Sequence, residues 1–200
     1  MFPKILGNHL IFTQIVKLSM IHLEKQIHII KYTEVCTKEV LRVMKNVIVR
    51  ELIFIDTEFK TQDEVLNFIA SRLFEAGRCS DVSEVVRGFY DREAEFSTCM
   101  NDGIAIPHCL NQAISDATVI VVRNQFDIPW PQKEDQANLF FSLLIPKKNE
   151  NQMHIRILAQ VAQLIMEDDF IKNVRDSENT QIIYDLLKDL NKTFEMEKEI

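Results

Sequence analysis

Short apolar runs alternate along the chain with longer segments in which apolar residues recur every three or four positions. Runs of the first kind are typical of buried β-strands, and segments of the second kind predict helices with one apolar face. The predicted strands cover residues 52–55, 104–106, 118–122 and 138–145, and the predicted helices cover about residues 61–76, 80–94, 150–165, 167–175 and 178–190. Strands interleaved with helices indicate a layered α/β domain.

Capping and turn residues mark several ends of these elements. Thr61 is a favoured N-cap, and Gly77 suits the left-handed position that commonly follows a helix. Either Ser80 or Asp81 begins the second helix. The segment Pro129-Trp130-Pro131 disfavours regular pairing, because proline cannot donate to a β-ladder, and it therefore predicts a loop.

Composition and charge narrow the class of protein. Two hundred residues, 46% of them hydrophobic and 26% charged, suit one domain with a sizeable core. The net charge of −7 argues against nucleic acid and anionic membrane surfaces as partners. No stretch reaches the roughly 18 apolar residues of a membrane span, so we expect a cytoplasmic protein. The four cysteines lack metal-ligand or redox spacing, which predicts reduced thiols and no metal site.

The first 43 residues differ in composition from the rest. They carry six Lys or Arg and three Glu, whereas residues 44–200 carry 17 basic and 27 acidic residues. Residues 1–43 are either a poorly ordered helical appendage or upstream sequence read from a start codon placed too early. The second interpretation rests on Lys38-Glu39-Val40, which the ribosome-binding sequence AAGGAGGT would encode just before Met44. On either interpretation the folded domain covers residues 44–200.

One histidine stands directly after a predicted strand and a rigid proline, in Gly103-Ile104-Ala105-Ile106-Pro107-His108. Pro107 fixes its own backbone torsion and cannot donate to a ladder, so the strand is predicted to end there and the chain to leave the sheet. This places His108 on a stiff backbone next to solvent, which suits a nucleophile. The alternative is an ordinary exposed loop histidine.

The motif and its surroundings resemble a known phosphorylation site. Arg92-Glu93-Ala94-Glu95-Phe96-Ser97-Thr98, followed by Gly103 to His108, is similar to the active site of EIIA proteins of the bacterial sugar phosphotransferase system, in the mannitol/fructose/galactitol class. The resemblance covers about residues 44–196. It implies a three-layer domain with a mixed β-sheet of about five strands and helices on both faces. The sequence contains no zinc motif and no glycine-rich nucleotide loop, so no cofactor is expected.

The resemblance assigns roles to four residues. His108 would accept a phosphoryl group from the carrier HPr and pass it to a cysteine of the EIIB protein. His154, near the start of a predicted helix, would support the phosphoryl group; alternatively it is a capping or core histidine. Arg92 would stabilise the phosphorylated site with its planar fork, or it forms a salt bridge with a neighbouring carboxylate. Thr98 would donate a hydroxyl hydrogen bond.

Two further features refine this expectation. Glu93 is expected to hold Arg92 and to take no part in catalysis. Cys109 follows the candidate nucleophile, but adjacent residues on an extended chain point to opposite sides, which argues against a Cys-His pair. Mannitol, fructose and nitrogen-type members usually have glycine at that position, so the Pro-His-Cys segment favours the galactitol-type branch.

The expected function is therefore a phosphoryl carrier for uptake of a hexitol or hexose, with a galactitol-like sugar favoured. Contact with the membrane would be indirect, through the EIIB/EIIC complex. A nitrogen-type regulatory module, whose phosphorylation state controls partner binding, is the main alternative. A two-histidine metal hydrolase is a remote one, since no carboxylates cluster in sequence near His108 or His154.

Overall fold

The computed structural model describes residues 46–100, 102–130, 135–147 and 153–191, without the side chains of Asp135, Met153 and His154. The predicted appendage at residues 1–43 lies outside the described residues, so its origin stays an open prediction. Within the described ranges, no helix is both long and apolar enough to cross a membrane.

Five strands form one mixed sheet. They are β1 (Ile53–Thr57), β2 (Ile104–Ala105), β3 (His108–Asn111), β4 (Thr118–Trp130) and β5 (Asp135–Pro146). The order is β1-β4-β5-β2, and β3 also pairs with β5. β4 and β5 are antiparallel, whereas β1 is parallel to β4, and β2 and β3 are parallel to β5. The predicted mixed sheet is confirmed.

Helices cover both faces of the sheet. They are α1 (Gln62–Glu75), α2 (Val82–Glu95), α3 (Met153–Ile165), α4 (Asp168–Asp176) and α5 (Thr180–Leu187). Side chains of β4 alternate between the two faces, as a pleated strand requires. Ile120 and Val122 belong to the core shared with α1 and α2, and Val119 and Val121 to the core shared with α3, α4 and α5. The α/β three-layer prediction is thus confirmed.

The predicted start and end of α1 and the predicted start of α2 are also confirmed. The Thr61 side chain accepts a hydrogen bond from the amide of Glu64, and Gly77 has a φ of 68° just after α1. Asp81 caps α2 by accepting from the amides of Ser83 and Glu84. The Asp81 cap fixes where α2 begins, and α2 carries Arg92 and Glu93 in its last turn.

The chain does not leave the sheet at Pro107, contrary to the sequence prediction. Ile104 pairs with Leu139 and His108 pairs with Leu143, so the register on β5 is the same on both sides of the proline. The carbonyl of Pro107 still accepts a hydrogen bond from Leu143. Pro107 therefore interrupts the ladder without redirecting the chain, because it removes only a donor.

The loop predicted at Pro129-Trp130 is also wrong. Both residues belong to β4, where Pro129 pairs with Gln136 and Trp130 pairs with Asp135. β1 accompanies β4 only as far as Asn124, so Pro129 lies where β4 is an edge, and an edge strand tolerates a missing N–H. As a result the Trp130 side chain is held in the core, 1% exposed.

Candidate functional site

His108 is the first residue of β3 and lies at the wall of a cavity of about 490 Å³. Its side chain is only 7% exposed, which is less than a histidine beside open solvent would show. The reason is that α2 packs across β3, and the cavity lies between these two elements. Residues that line it include Arg87, Gly88, Arg92 and Lys147.

Both ring nitrogens of His108 have a defined partner. Nδ1 lies 2.8 Å from the carbonyl oxygen of Ile106, and the Nε of Arg92 donates to Nε2 at 2.9 Å. A guanidinium can only donate, so Nε2 must present its lone pair and Nδ1 must carry the proton. The contacts therefore define a neutral imidazole with a single tautomer, whose acceptor nitrogen faces Arg92.

The carbonyl that holds Nδ1 belongs to Ile106, the residue before the proline. The chain keeps the same register on β5 before and after Pro107, so the Ile106 carbonyl stays beside the ring of His108.

Arg92 is held by the segment that follows its own helix. Its Nη1 donates to the carbonyl of Phe96 at 2.9 Å, while its Nε contacts His108. Among the described residues no carboxylate lies within ion-pair distance of this guanidinium, so the salt-bridge alternative is not found there. Arg92 thus brings a permanent positive charge directly to the acceptor nitrogen of the imidazole.

Glu93 points to a different set of partners from the one expected. Its buried carboxylate accepts hydrogen bonds from the Thr98 amide at 2.9 Å, the Thr98 hydroxyl at 2.5 Å and the Trp130 indole N–H at 2.7 Å. The prediction that Glu93 holds Arg92 is wrong. Side chains of consecutive helical residues point about 100° apart, so the Glu93 carboxylate is directed away from the Arg92 guanidinium.

Thr98 is close to the site, but its hydroxyl is already engaged by Glu93. Its predicted donation to a phosphoryl group requires that hydroxyl to exchange partners, and the role stays a prediction. His154 is the second residue of α3. Its side chain lies outside the described part of the structure, so its predicted support of the phosphoryl group also stays a prediction.

Sequence reasoning missed Trp130 and Lys147. The flanking prolines predict a loop at Trp130, although a large aromatic side chain that occurs only once in the sequence is also a signal of a core anchor. Lys147 follows β5 directly, and β5 pairs with β3, so the topology alone brings it to the cavity.

Cys109 lines the cavity beside Gly88, and its side chain belongs to the core shared with α1 and α2. Its side chain is 2% exposed. Burial, with a smaller contribution from the nearby Cys79, raises the pKa of the Cys109 thiol to about 12. The thiolate is the reactive form of cysteine, so this thiol is inert at neutral pH. The described residues also contain no group of three or more His, Cys, Asp or Glu side chains arranged to hold a metal ion.

We predict that Cys109 resists alkylation in the folded protein. With a pKa of about 12, the thiolate fraction at pH 8 is roughly a thousandfold below that of an unfolded cysteine. Iodoacetamide at pH 8, followed by peptide mass spectrometry, should modify Cys109 in urea but leave it unmodified in buffer. Equal modification in both conditions would show that the thiol is not buried as described.

Comparisons with known proteins find one matching family and several similar proteins. The sequence model of the family described as "Phosphoenolpyruvate-dependent sugar phosphotransferase system, EIIA 2" matches residues 46–190. The chain is 29% identical over 138 residues to "Multiphosphoryl transfer protein 2" of Escherichia coli K12, covering 69% of this chain but only 16% of that protein. It is 28% identical over 141 residues to a "PTS system fructose-specific EIIA component" of Haloferax volcanii, covering 70% of this chain and 91% of that protein.

A solved structure shares the fold. The complex of enzyme IIAMTL and phosphorylated enzyme IIBMTL from Escherichia coli contains a chain that matches with a TM-score of 0.60 at 19% sequence identity. The match covers 70% of this chain and 96% of that one. At this level of identity the similarity shows the fold alone.

Proposed function

Since the chain belongs to the EIIA type 2 family of the phosphoenolpyruvate-dependent sugar phosphotransferase system, we propose that it carries a phosphoryl group from phospho-HPr to an EIIB protein on His108. The observation that carries this proposal is the pair of contacts on the imidazole. The proton on Nδ1 is held by Ile106, and the lone pair on Nε2 lies beside Arg92 at the cavity wall.

The proposed chemistry is two in-line phosphoryl transfers. In the first, the Nε2 lone pair of His108 forms a bond to phosphorus, while the bond from phosphorus to the HPr imidazole breaks and that nitrogen keeps the electron pair. The Nδ1 proton stays in its hydrogen bond to Ile106 throughout. In the second, the thiolate of an EIIB cysteine attacks the same phosphorus, and Nε2 recovers its lone pair.

Arg92 has one role in the resting protein and another during phosphoryl transfer. In the resting protein its Nε–H occupies the lone pair of Nε2, so the guanidinium must move aside as phosphorus arrives. Because Nη1 is anchored on the carbonyl of Phe96, we expect the movement to be short. The N–H groups then lie beside the phosphoryl oxygens, where a fixed cation stabilises the charge that develops in a loose transition state.

The distance between α2 and β3 keeps Arg92 close to His108, and Gly88 sets that distance. Gly88 lies one helical turn before Arg92, on the same face of α2. A Cβ placed on Gly88 would lie 3.1 Å from the Cβ of Cys109 and 3.4 Å from its Sγ. The Cβ of Cys109 is fixed to its backbone, so an added methyl group has to push α2 away from β3.

We predict that Gly88→Ala lowers stability by about 1 kcal/mol, since overpacking outweighs the helix propensity gained with alanine. It should also slow phosphate acceptance several-fold, because Arg92 is withdrawn from His108. Denaturant unfolding and a phosphorylation time course measure the two effects. Gly77→Ala is the matched control: Gly77 has a φ of 68° and no atom near its would-be Cβ, so strain should destabilise without slowing acceptance. A Gly88→Ala protein that is as fast as wild type would contradict the spacing argument.

The sugar is a finer question than the relay. We propose a hexose or hexitol as the substrate of the associated permease. The relative from Haloferax volcanii, which is 28% identical to this chain, is named fructose-specific. Nothing in these comparisons favours the galactitol-type branch, so that preference rests on the Pro-His-Cys segment alone. The chain spans 16% of the multiphosphoryl transfer protein it matches, so the activities of that larger protein are not transferred to it.

Reconstitution tests the proposed function. The protein is incubated with enzyme I, HPr and labelled phosphoenolpyruvate, and it should take up one acid-labile, base-stable phosphate. Addition of a sugar-specific EIIB should then discharge it. Without HPr no label should appear. If the wild-type protein takes up label but no EIIB discharges it, the nitrogen-type regulatory alternative is favoured over transport; if it takes up no label, the relay proposal fails.

A further inference from the structure

Glu93 is buried and charged but contacts neither ring nitrogen of His108. Its exposed fraction is 3%, and its carboxylate accepts from Trp130 and twice from Thr98. Burying a carboxylate costs free energy unless several hydrogen-bond donors contact its oxygens. Three donors do so here, and two of them belong to a single residue on the segment that follows α2.

That segment leads directly to the imidazole. The carbonyl of Thr98 accepts a hydrogen bond from the Ile106 amide at 2.9 Å, and the carbonyl of Ile106 accepts the Nδ1 proton of His108 at 2.8 Å. Residues 98–100 pair with residues 104–106, through this bond and one from Met100 to Ile104 at 2.7 Å. The Ile106 backbone is therefore held by Thr98 on one side, in addition to the pairing of β2 and β3 with β5.

We propose that Glu93 is a positioning residue, which fixes the tautomer and orientation of His108 through Thr98 and Ile106. This inference rests on the proposed function only for its catalytic consequence, since the tautomer is a property of the resting protein. The neighbours Arg92 and Glu93 then control opposite sides of one ring. Arg92 contacts Nε2 directly, and Glu93 holds the backbone that binds Nδ1–H.

The reason this matters is that the two tautomers differ in reactivity. If the Ile106 carbonyl is displaced, the proton can move to Nε2 or the ring can rotate. An imidazole protonated on Nε2 has no lone pair there for phosphorus. The loss of a supporting residue that does not itself touch the reacting group typically changes activity by about 10- to 100-fold.

The test uses ¹⁵N NMR of the unphosphorylated protein to compare the ring nitrogens of His108 in wild type and in variants at Glu93 and Trp130. Wild type should show one protonated and one unprotonated nitrogen, with Nδ1 protonated. In Glu93→Ala the two ¹⁵N shifts should approach each other, and phosphate acceptance should slow by about 10-fold with little change in the apparent affinity for phospho-HPr. Glu93→Gln should restore both properties, because its amide can accept from both N–H groups and donate to the Thr98 hydroxyl oxygen.

Trp130→Phe is the matched control. It removes one of the three hydrogen bonds to Glu93 but leaves both from Thr98, so it should lower the melting temperature without moving the ¹⁵N shifts. If Glu93→Ala does not fold, Glu93→Asp withdraws the carboxylate by one methylene, and it should move the shifts in the same direction. Unchanged shifts in a folded Glu93→Ala or Glu93→Asp protein would overturn the proposal. The proposal would also be overturned if Trp130→Phe moved the two ¹⁵N shifts as much as Glu93→Ala does. Such a result would show that any loosening of the core around Glu93 disturbs the ring of His108. A wild-type protein with the stated tautomer that takes up no phosphate would contradict the relay and leave the positioning result standing.

Discussion

Replacing His108 by alanine is expected to reduce phosphate uptake from phospho-HPr below detection. The reaction needs a nucleophile that is neutral and oriented, and the contacts of His108 leave an acceptor electron pair on Nε2, beside Arg92, and a fixed proton on Nδ1. None of the other groups described at the cavity wall combines these properties. Label transfer from phosphoenolpyruvate through enzyme I and HPr measures the loss directly.

Cys109→Ala is the control for this substitution. Cys109 is the next residue of β3, it is as buried as His108, and its thiol points into the core. Truncating it disturbs the packing of the same strand without removing the imidazole. Cys109→Ala should accept phosphate at close to the wild-type rate. Persistent labelling of a folded His108→Ala protein would show that the phosphorylated residue lies elsewhere.

Replacing Arg92 by alanine is expected to slow phosphate acceptance by about 10²- to 10³-fold, the usual cost of removing one fixed donor from a charge-developing transition state. Arg92→Lys should fall between this variant and wild type. Lysine keeps the positive charge, but a single ammonium cannot contact His108 and the Phe96 carbonyl in the fixed planar geometry of the guanidinium. Single-turnover rates with excess phospho-HPr measure the step without interference from later transfer.

The control for Arg92 is Arg87→Ala. Arg87 also lines the cavity, but it lies on α2 more than one turn before Arg92 and pairs with Glu84. Its loss should change the single-turnover rate less than threefold, as expected for an exposed ion pair away from the reacting atoms. If Arg87→Ala and Arg92→Ala slow the step equally, the effect comes from general positive charge in the cavity, and the specific role of Arg92 is wrong.

The fold was largely predictable from the sequence because its local signals agree with one another. β-branched runs predict the central strands, and Thr61 and Gly77 mark the ends of α1 as the structure places them. The two errors both involve proline. Pro107 is predicted to end its strand and Pro129 to lie in a loop, but a missing N–H is tolerated where the chain stays in register, or where the strand is an edge.

The sequence indicates candidate residues for the site, of which the structure brings His108 and Arg92 together, but it does not predict their contacts. Strand, proline and histidine in succession indicate a presented imidazole, and the family resemblance identifies Arg92. The sequence could not show that Arg92 binds Nε2, that Ile106 binds Nδ1, or that Glu93 turns to Trp130. These contacts depend on how closely α2 approaches β3, and on where the end of β4 lies, which are tertiary properties.

The most direct test of the relay is to identify the atom that carries the phosphoryl group. The protein, labelled with ¹⁵N at histidine, is phosphorylated through HPr and studied by ¹⁵N and ³¹P NMR at alkaline pH, where phosphohistidine persists. The contacts of His108 predict a single phosphorylated nitrogen, Nε2 of this residue, with Nδ1 still protonated. Phosphate on Nδ1, or on any other residue, would contradict the account.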